Sequence, residues 1–259
     1  CYLLLDFSYS INIFCKCLCV SYNKMLERLS EAFKIQRQFT ENAAHELRTP
    51  LSLMQIQLDL YNSGKHPGND ADTIQTIKMV TEQNERLSKM VKTLLDMSEL
   101  QTVGRDETII VNALIDEVLA DLEPLAQEKN IKLIGKCKDV NMVGSDILIY
   151  RLVYNLVENA IKYNHSGGQV IVEAYQKEKQ VYLSVEDTGS GIPEELKERV
   201  FEPFFRVDKS RSRELGGVGL GLALVNEIVR VHDGSIAIRP NPSGGTIIEV
   251  QFAVNRTTA

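Results

Sequence analysis

Phe39-Thr40-Glu41-Asn42-Ala43-Ala44-His45-Glu46-Leu47-Arg48-Thr49-Pro50-Leu51 is the stretch from which the rest of the chain can be read. It sets an imidazole between small alanines and an acid, with a threonine four residues on and a proline just beyond. Upstream, Leu26, Leu29 and Phe33 recur at steps of three and four; Leu47, Leu51, Met54, Leu58 and Tyr61 continue the rhythm after a slight shift. This period predicts a helix from Asn23 to Tyr61 with a coiled-coil-like seam. His45 stands two residues from Leu47, roughly 200° around the helix, so it faces away from the seam and is exposed, as an attacking group must be. A neutral imidazole is a good nucleophile near neutral pH. Glu46 is placed to take the proton from the far ring nitrogen, Thr49 shares the histidine's face and can orient a water, and Pro50 is expected to kink the helix.

Ser63-Gly64-Lys65-His66-Pro67-Gly68 reads as a turn, and a second helix is expected from Asp70 to Gln101. Its seam is Ile77, Val80, Leu87, Val91 and Leu94, with polar Asn84 in register. One hairpin of two long helices has a narrow apolar stripe and little core of its own. Pairing with a second copy makes a four-helix bundle, so a homodimer is expected.

Val103-Gly104-Arg105 reads as a linker, after which the periodicity changes. A short strand over Thr108 to Val111, a helix over Asn112 to Lys129 and a strand over Ile131 to Cys137 lead into a strong helix from Asp146 to Tyr163. Val170 to Tyr175 and Val181 to Glu186 alternate as a hairpin around Lys177-Glu178-Lys179, and Ser235 to Ile238 and Thr246 to Phe252 form another around Asn241-Pro242-Ser243-Gly244-Gly245. Helices and hairpins mix without regular alternation, which predicts an α+β sandwich behind the helical hairpin.

With 259 residues the chain is long enough for two small domains, and its 44% hydrophobic and 25% charged content is that of an ordinary globular protein. A formal charge of -6 argues against a nucleic-acid partner. Four of the five cysteines, Cys1, Cys15, Cys17 and Cys19, lie near the start and build no framework of pairs, which points to a reducing compartment. A strand there would put Cys15, Cys17 and Cys19 on one face, yet no histidine or fourth neighbouring cysteine completes a zinc set. The uncharged run Phe7 to Cys15 is too short to span a bilayer, which needs ~20 residues, and no signal peptide is evident. Residues 1–22 read as an atypical remnant of a longer chain.

A second constellation lies far downstream. Asn155, Asn159, Lys162 and Tyr163 share one side of a helix. An amide oxygen at Asn159 suits Mg²⁺, Lys162 can reach phosphates, and Tyr163 can lie against an adenine. Asp187-Thr188-Gly189-Ser190-Gly191 ends a strand, where a carboxylate can accept from an adenine amino group and glycines let the base come close. Gly216-Gly217-Val218-Gly219-Leu220-Gly221 opens a helix from Leu222 to Val231, a phosphate cradle of backbone amides. The glycine run is neither a P-loop nor a dinucleotide fingerprint. Each piece alone is commonplace, since exposed histidines are mostly solvated and glycine clusters are mostly turns. The ordered set is what structure alone does not explain. The other histidines offer less: His66 sits in a turn, His165 ends a helix, and His232 lies near a helix C-terminus, where partial positive charge is favourable.

Taken together, these segments resemble the cytoplasmic catalytic half of a bacterial sensor histidine kinase. The family's H box is matched by Phe39 to Leu51, its N box by Asn155-Leu156-Val157-Glu158-Asn159-Ala160-Ile161-Lys162-Tyr163, its G1 box by Asp187 to Gly191, its F box by Phe201-Glu202-Pro203-Phe204-Phe205-Arg206 and its G2 box by Gly217 to Gly221, with Gly244-Gly245-Thr246 as the last glycine pair. The resemblance covers about residues 23 to 253 in family order. It implies a signalling (HAMP-like) linker end over 23–38, a dimerisation and histidine phosphotransfer domain over 39–103, and an ATP-binding domain of the histidine-kinase/gyrase class over 106–255.

The resemblance further implies ATP with Mg²⁺ on Asn159 and adenine read by Asp187. Gly189, Gly191, Gly217, Gly219, Gly221 and Thr246 would line the nucleotide, with Asn155 and Tyr163 beside it and Lys162, Arg206 and Arg211 near the phosphates. Val207 to Leu215 reads as a mobile lid. His45 attacks the γ-phosphate with Glu46 as base, the phosphoryl group passes to an aspartate of a response regulator, and Thr49 suggests the reverse phosphatase activity. The parent protein is expected to be anchored in the inner membrane, with this region on the cytoplasmic side. Two other readings compete: an ATP-driven clamp like gyrase or the heat-shock chaperones, and a non-catalytic dimeric scaffold. In the clamps a glutamate four residues before the Mg²⁺ asparagine activates water; here that position is Asn155, which favours transfer to His45.

Overall fold

Val181, Leu183 and Val185 alternate with Gln180, Tyr182 and Ser184, and this period of two makes Gln180–Asp187 a strand with one buried face. The structure, a computed structural model, describes residues 2–62, 70–100, 102–208 and 217–254. In chain order the elements are α1 (Tyr2–Asn62), α2 (Asp70–Glu99), β1 (Glu107–Ile110), α3 (Val111–Glu128), β2 (Lys132–Cys137), β3 (Asn141–Gly144), α4 (Asp146–Lys162), β4 (Gln169–Lys177), β5 (Gln180–Asp187), α5 (Gly221–Val231), β6 (Ser235–Pro240) and β7 (Thr246–Ala253). Two short 3₁₀ turns, Glu194–Leu196 and Arg199–Phe201, lie between β5 and α5. By its contacts the chain divides into two compact units, residues 1–52 and 53–259.

In the first unit α1 runs through Pro50 without a break. Pro50 has no N–H to donate along the helix, and the Thr49 hydroxyl donates to the carbonyl of His45 at 3.2 Å. Helix begins at Tyr2 and not at Asn23. The strand considered for Cys15, Cys17 and Cys19 is therefore corrected: those residues lie in α1, where alternate positions do not share a face. A short apolar run reads equally well as strand or helix, and here it is continuous with the helix that follows.

The second unit contains the end of α1, paired antiparallel with the start of α2. Gln57 Nε2 donates to Thr76 Oγ1 at 3.4 Å, and Tyr61 Oη shares a hydrogen bond with Thr73 Oγ1 at 3.3 Å. The turn expected over Ser63 to Gly68, and His66 in it, lie outside the described residues. Behind the hairpin stands an α/β sandwich. Its five-stranded sheet has the order β2-β4-β5-β7-β6, with β2 parallel to β4 and all other pairs antiparallel, and β1 and β3 make a separate two-stranded ribbon.

Register lines up one apolar row across the sheet: Val172 opposite Val185 opposite Ile248, and Ala174 opposite Leu183 opposite Val250. That row is buried against Leu114, Ile115, Val118 and Leu122 of α3, Ile149, Leu152, Val153 and Leu156 of α4, and Leu224, Val225 and Ile228 of α5. Each such side chain taken fully out of water contributes roughly 1.5–3 kcal/mol. β3 was not anticipated from the sequence: four residues with a single buried large side chain, Met142, carry too little pattern. Among the described residues, no helix is long and apolar enough to cross a membrane.

Leu152 of α4 is wholly buried at the centre of this core. Replacing it by alanine is expected to cost about 2–5 kcal/mol, read as a lowered urea midpoint in equilibrium unfolding of the chain.

Candidate functional site

Helix α4 builds the site because its two strips obey different demands. Ile149, Leu152, Val153, Leu156 and Ala160 face the core, which leaves Asn155, Asn159 and Lys162 on a polar strip. The helix is anchored at both ends. At its start, the backbone N–H of Asp146 donates to Glu107 Oε2 at 3.0 Å, and the N–H of Ser145 donates to His232 Nε2 at 3.1 Å. At its end, Lys129 Nζ donates to the carbonyl of Lys162 at 3.0 Å, a cation at the negative helix terminus.

Asn155 Nδ2 donates to the carbonyl of Arg151 at 2.7 Å, which turns its Oδ1 towards the first residue of α5. A Cβ placed on Gly221 would lie 3.0 Å from that Oδ1 and 3.6 Å from Asn159 Nδ2. The two amides of α4 thus meet the start of α5, where the first helical N–H groups have no intrahelical acceptor. Among the described residues, the amide of Asn159 makes no hydrogen bond, so its oxygen is available to a hard cation.

The strand alternation that buries Val181, Leu183 and Val185 puts Asp187 on the same face at the strand's end. Asp187 Oδ1 accepts from the N–H of Gly189 at 2.7 Å and of Thr246 at 3.3 Å, and its carbonyl accepts from Asn241 Nδ2 at 2.8 Å. Thr246 and Gly189 thus serve as backbone clamps on the acid, and Oδ2 has no protein partner among the described residues. Burial pushes the Asp187 carboxyl above the usual carboxylate range, against the opposing pull of those N–H groups. Gly189 is required by close approach: a Cβ there would fall 2.4 Å from the carbonyl of Tyr163, the residue that closes α4. The N–H of Ser190 donates to that same carbonyl at 3.2 Å. Gly191 follows with φ of +72°.

The glycine loop before α5 is held from the other side. Phe204 N–H donates to the carbonyl of Gly219 at 2.7 Å, and Arg206 Nη2 donates to the carbonyl of Val218 at 3.4 Å. Gly219 has φ of +80°, and a Cβ on it would lie 2.6 Å from the carbonyl of Phe205. Phe204 itself is left-handed at φ 66°, an uncommon conformation for an aromatic residue. Arg199 stacks over the Phe205 ring at 4.5 Å.

Of the residues singled out from sequence, Asn155, Asn159, Lys162, Tyr163, Asp187, Gly189, Gly191, Arg206, Gly217, Gly219, Gly221 and Thr246 are described, all in the second unit: Gly221 meets Asn155 and Asn159, Gly189 meets the end of α4 at Tyr163, Thr246 meets Asp187, and Arg206 meets the loop before α5. Arg211 and most of the expected lid, Val207 to Leu215, lie outside the described residues. His45, Glu46 and Thr49 belong to the first unit, where His45 and Thr49 are exposed and Glu46 half-buried.

Lys162 is not a free cation here: its Nζ pairs with Glu158 Oε1 at 2.9 Å. Burial holds the Lys162 ammonium below the usual lysine range despite that carboxylate. Burial opposes ionisation of Glu158 too, yet Lys162 and Lys89 outweigh it and keep the carboxyl low.

His232 corrects a reading from sequence. It is buried; Nδ1 donates to the carbonyl of Ile228 at 2.8 Å while Nε2 accepts from Ser145. The ring is thus a neutral fastener between α5 and α4, with no positive charge at the helix terminus.

Sequence reasoning missed Asn164, Thr188, Asn241 and Glu158. Asn164 Oδ1 receives the Thr188 hydroxyl at 3.2 Å, and Thr188 Oγ1 accepts the Gln169 N–H at 3.0 Å, fixing the Asp187 loop to the end of α4. Thr188 and Glu158 stood inside the quoted motifs without a role of their own, and Asn164 and Asn241 offered only their position beside motifs.

The family described as His Kinase A (phospho-acceptor) domain matches residues 35–103, and that described as Histidine kinase-, DNA gyrase B-, and HSP90-like ATPase matches residues 144–256. Signal transduction histidine-protein kinase ArlS of Staphylococcus aureus is 33% identical over 241 residues, which is 90% of this chain and 52% of ArlS. The chain therefore spans about half the length of the curated relatives it matches. Among solved structures, the Acinetobacter baumannii histidine kinase AdeS aligns with a TM-score of 0.67 at 25% identity, covering 82% of this chain and 98% of that one. Histidine kinase ThkA, solved in complex with response regulator protein TrrA, aligns with a TM-score of 0.72 at 25% identity, covering 88% and 65%.

Replacing Asp187 by asparagine keeps the Oδ1 acceptor and removes the charge. A carboxyl whose folded pKa is raised contributes stability below its unfolded pKa and loses it as pH rises through the folded pKa. Asp187→Asn is therefore expected to melt higher than the native chain at neutral pH, with the gap closing as pH falls through the carboxylate range, as read by thermal melts across pH.

Proposed function

The chain belongs to the two-component sensor histidine kinases, and on that premise we propose that it uses ATP to phosphorylate its own His45 and passes the phosphoryl group to an aspartate of a response regulator's receiver domain. The observation that carries the proposal is that the start of α5 and the Asp187 loop both abut α4, at Asn155 and Asn159 and at Tyr163, which supports one nucleotide cradle between them. ThkA, bound to its response regulator in the crystal, supports a partner of the same kind here.

In this reading Asp187 accepts from the adenine amino group with its unengaged oxygen, and Tyr163 flanks the base. Backbone N–H groups of Gly217, Gly219 and Gly221 at the start of α5 hold phosphate oxygens. Lys162, Arg206 and Arg211 supply positive charge beside them. Mg²⁺, when bound, neutralises phosphate charge, and the Asn159 amide would hold it. His45 attacks the γ-phosphorus with a ring nitrogen; the new P–N bond forms as the bridging P–O bond to ADP breaks, and Glu46 takes the proton from the far ring nitrogen. The Thr49 hydroxyl, donating to the His45 carbonyl, keeps lone pairs with which to orient a water, which fits a phosphatase activity toward the regulator.

We read 23–38 as the end of a signalling linker, 39–103 as the dimerisation and phosphotransfer domain and 106–255 as the ATP-binding domain of a parent protein anchored in a membrane. The seam residues Leu29, Phe33, Leu51, Ile77 and Val91 are all exposed in the single chain, so pairing with a second copy would bury them. An ATP-hydrolysing clamp is disfavoured. The position of its catalytic glutamate holds Asn155, and the nearest carboxylate on α4, Glu158, is engaged by two lysines.

Incubation with γ-labelled ATP and Mg²⁺ is expected to put acid-labile, base-stable label on the native chain and none on His45→Gln. Equal labelling of the two, or no label on a native chain that binds ATP, would overturn the assignment.

A further inference from the structure

Two ion pairs join α2 to α4. Lys89 Nζ meets Glu158 Oε1 at 2.6 Å, and Asp96 Oδ1 meets Arg151 Nη1 at 2.8 Å. Lys89 and Asp96 stand about two helical turns apart on α2, as do Arg151 and Glu158 on α4. The order of signs fits only an antiparallel pairing; a parallel one would oppose like charges. Met90, next to Lys89, is buried.

The two pairs are not equivalent. The same Oε1 of Glu158 that receives Lys89 also receives Lys162. Lys162 thus has two competing claims on it: a largely buried carboxylate beside it and, in the reading above, the phosphates of ATP. If it turned to phosphate with no other cation present, Glu158 would be left buried, unpaired and close to the triphosphate, which is costly on both counts.

We propose that Lys89 is a positioning residue for nucleotide binding: by holding the Glu158 carboxylate from α2, it releases Lys162 to the phosphates. The inference rests on the assignment of Lys162 to phosphate. The Lys89–Glu158 pair and binding of ATP then reinforce each other, and by reciprocity each strengthens the other by the same factor. A helix of the phosphotransfer half thereby sets the affinity of the nucleotide half without touching the nucleotide.

The test is calorimetric affinity for ATP with Mg²⁺, measured on the whole chain. Lys89→Met is expected to weaken binding about three- to tenfold, while Lys89→Arg retains it. Adding Glu158→Gln to Lys89→Met is expected to restore affinity to within about twofold, because no carboxylate then detains Lys162. Asp96→Asn breaks the companion pair but touches neither Glu158 nor Lys162, and is expected to leave affinity within about twofold of the native chain. Native affinity in Lys89→Met, an equal loss in Asp96→Asn, or no rescue in the double variant would each overturn the proposal; the second would reduce Lys89 to holding the helix. A native chain that binds no ATP would instead remove the nucleotide reading on which the proposal stands.

Discussion

A helix has one periodicity, and α4 must use it to satisfy two environments at once. Its apolar strip fills the centre of the core between α3, α5 and the sheet, so its rotation about its own axis is fixed by packing. With rotation fixed, the polar strip has no choice of direction. Asn155 and Asn159 meet the first residue of α5, and the carbonyl that ends the helix meets Gly189. The affinity of the site for a ligand is thus prepared by apolar burial that never touches one. Shifts in that packing would move the amides and the Asp187 loop together.

The clamps on Asp187 follow the same logic. A buried carboxylate is expensive unless N–H groups face it, and the turn after β5 and the start of β7 each supply one. Those donors settle one oxygen, and the other has no protein partner among the described residues. The glycine loop is likewise set by a neighbour, the left-handed Phe204 whose N–H holds the Gly219 carbonyl. In the proposed reading, where this backbone wraps a phosphate, it is thereby fixed in advance, which would lower the ordering cost at the moment of binding.

Much of this was legible in the residues. The alternation in β5 and β7 and the 3.6 period of α4 gave strands and helix to within a residue or two, and the polar strip of α4 with the two glycine stations marked the site. What was not legible is non-local. The parallel pairing of β2 with β4 joins segments separated by α4, and no local pattern announces it. His232 looked like a cation at a helix end because the Ser145 N–H that makes it an acceptor comes from far away in sequence. Lys162 looked like a free phosphate ligand because its partner Glu158, though one turn away, gains weight only through burial and through Lys89 on another helix. The start of α1 was missed for the opposite reason: an apolar run without period says nothing local about helix or strand.

The most direct test of the central claim, that α4, the Asp187 loop and the glycine loop form one nucleotide cradle, is backbone amide hydrogen exchange with and without ATP and Mg²⁺. The account predicts slowed exchange at Asp187–Gly191 and at Gly217–Gly221 together, with the core strand β5 otherwise unchanged. Protection confined to one of the two loops, or appearing elsewhere in the chain while both stay as they were, would contradict it.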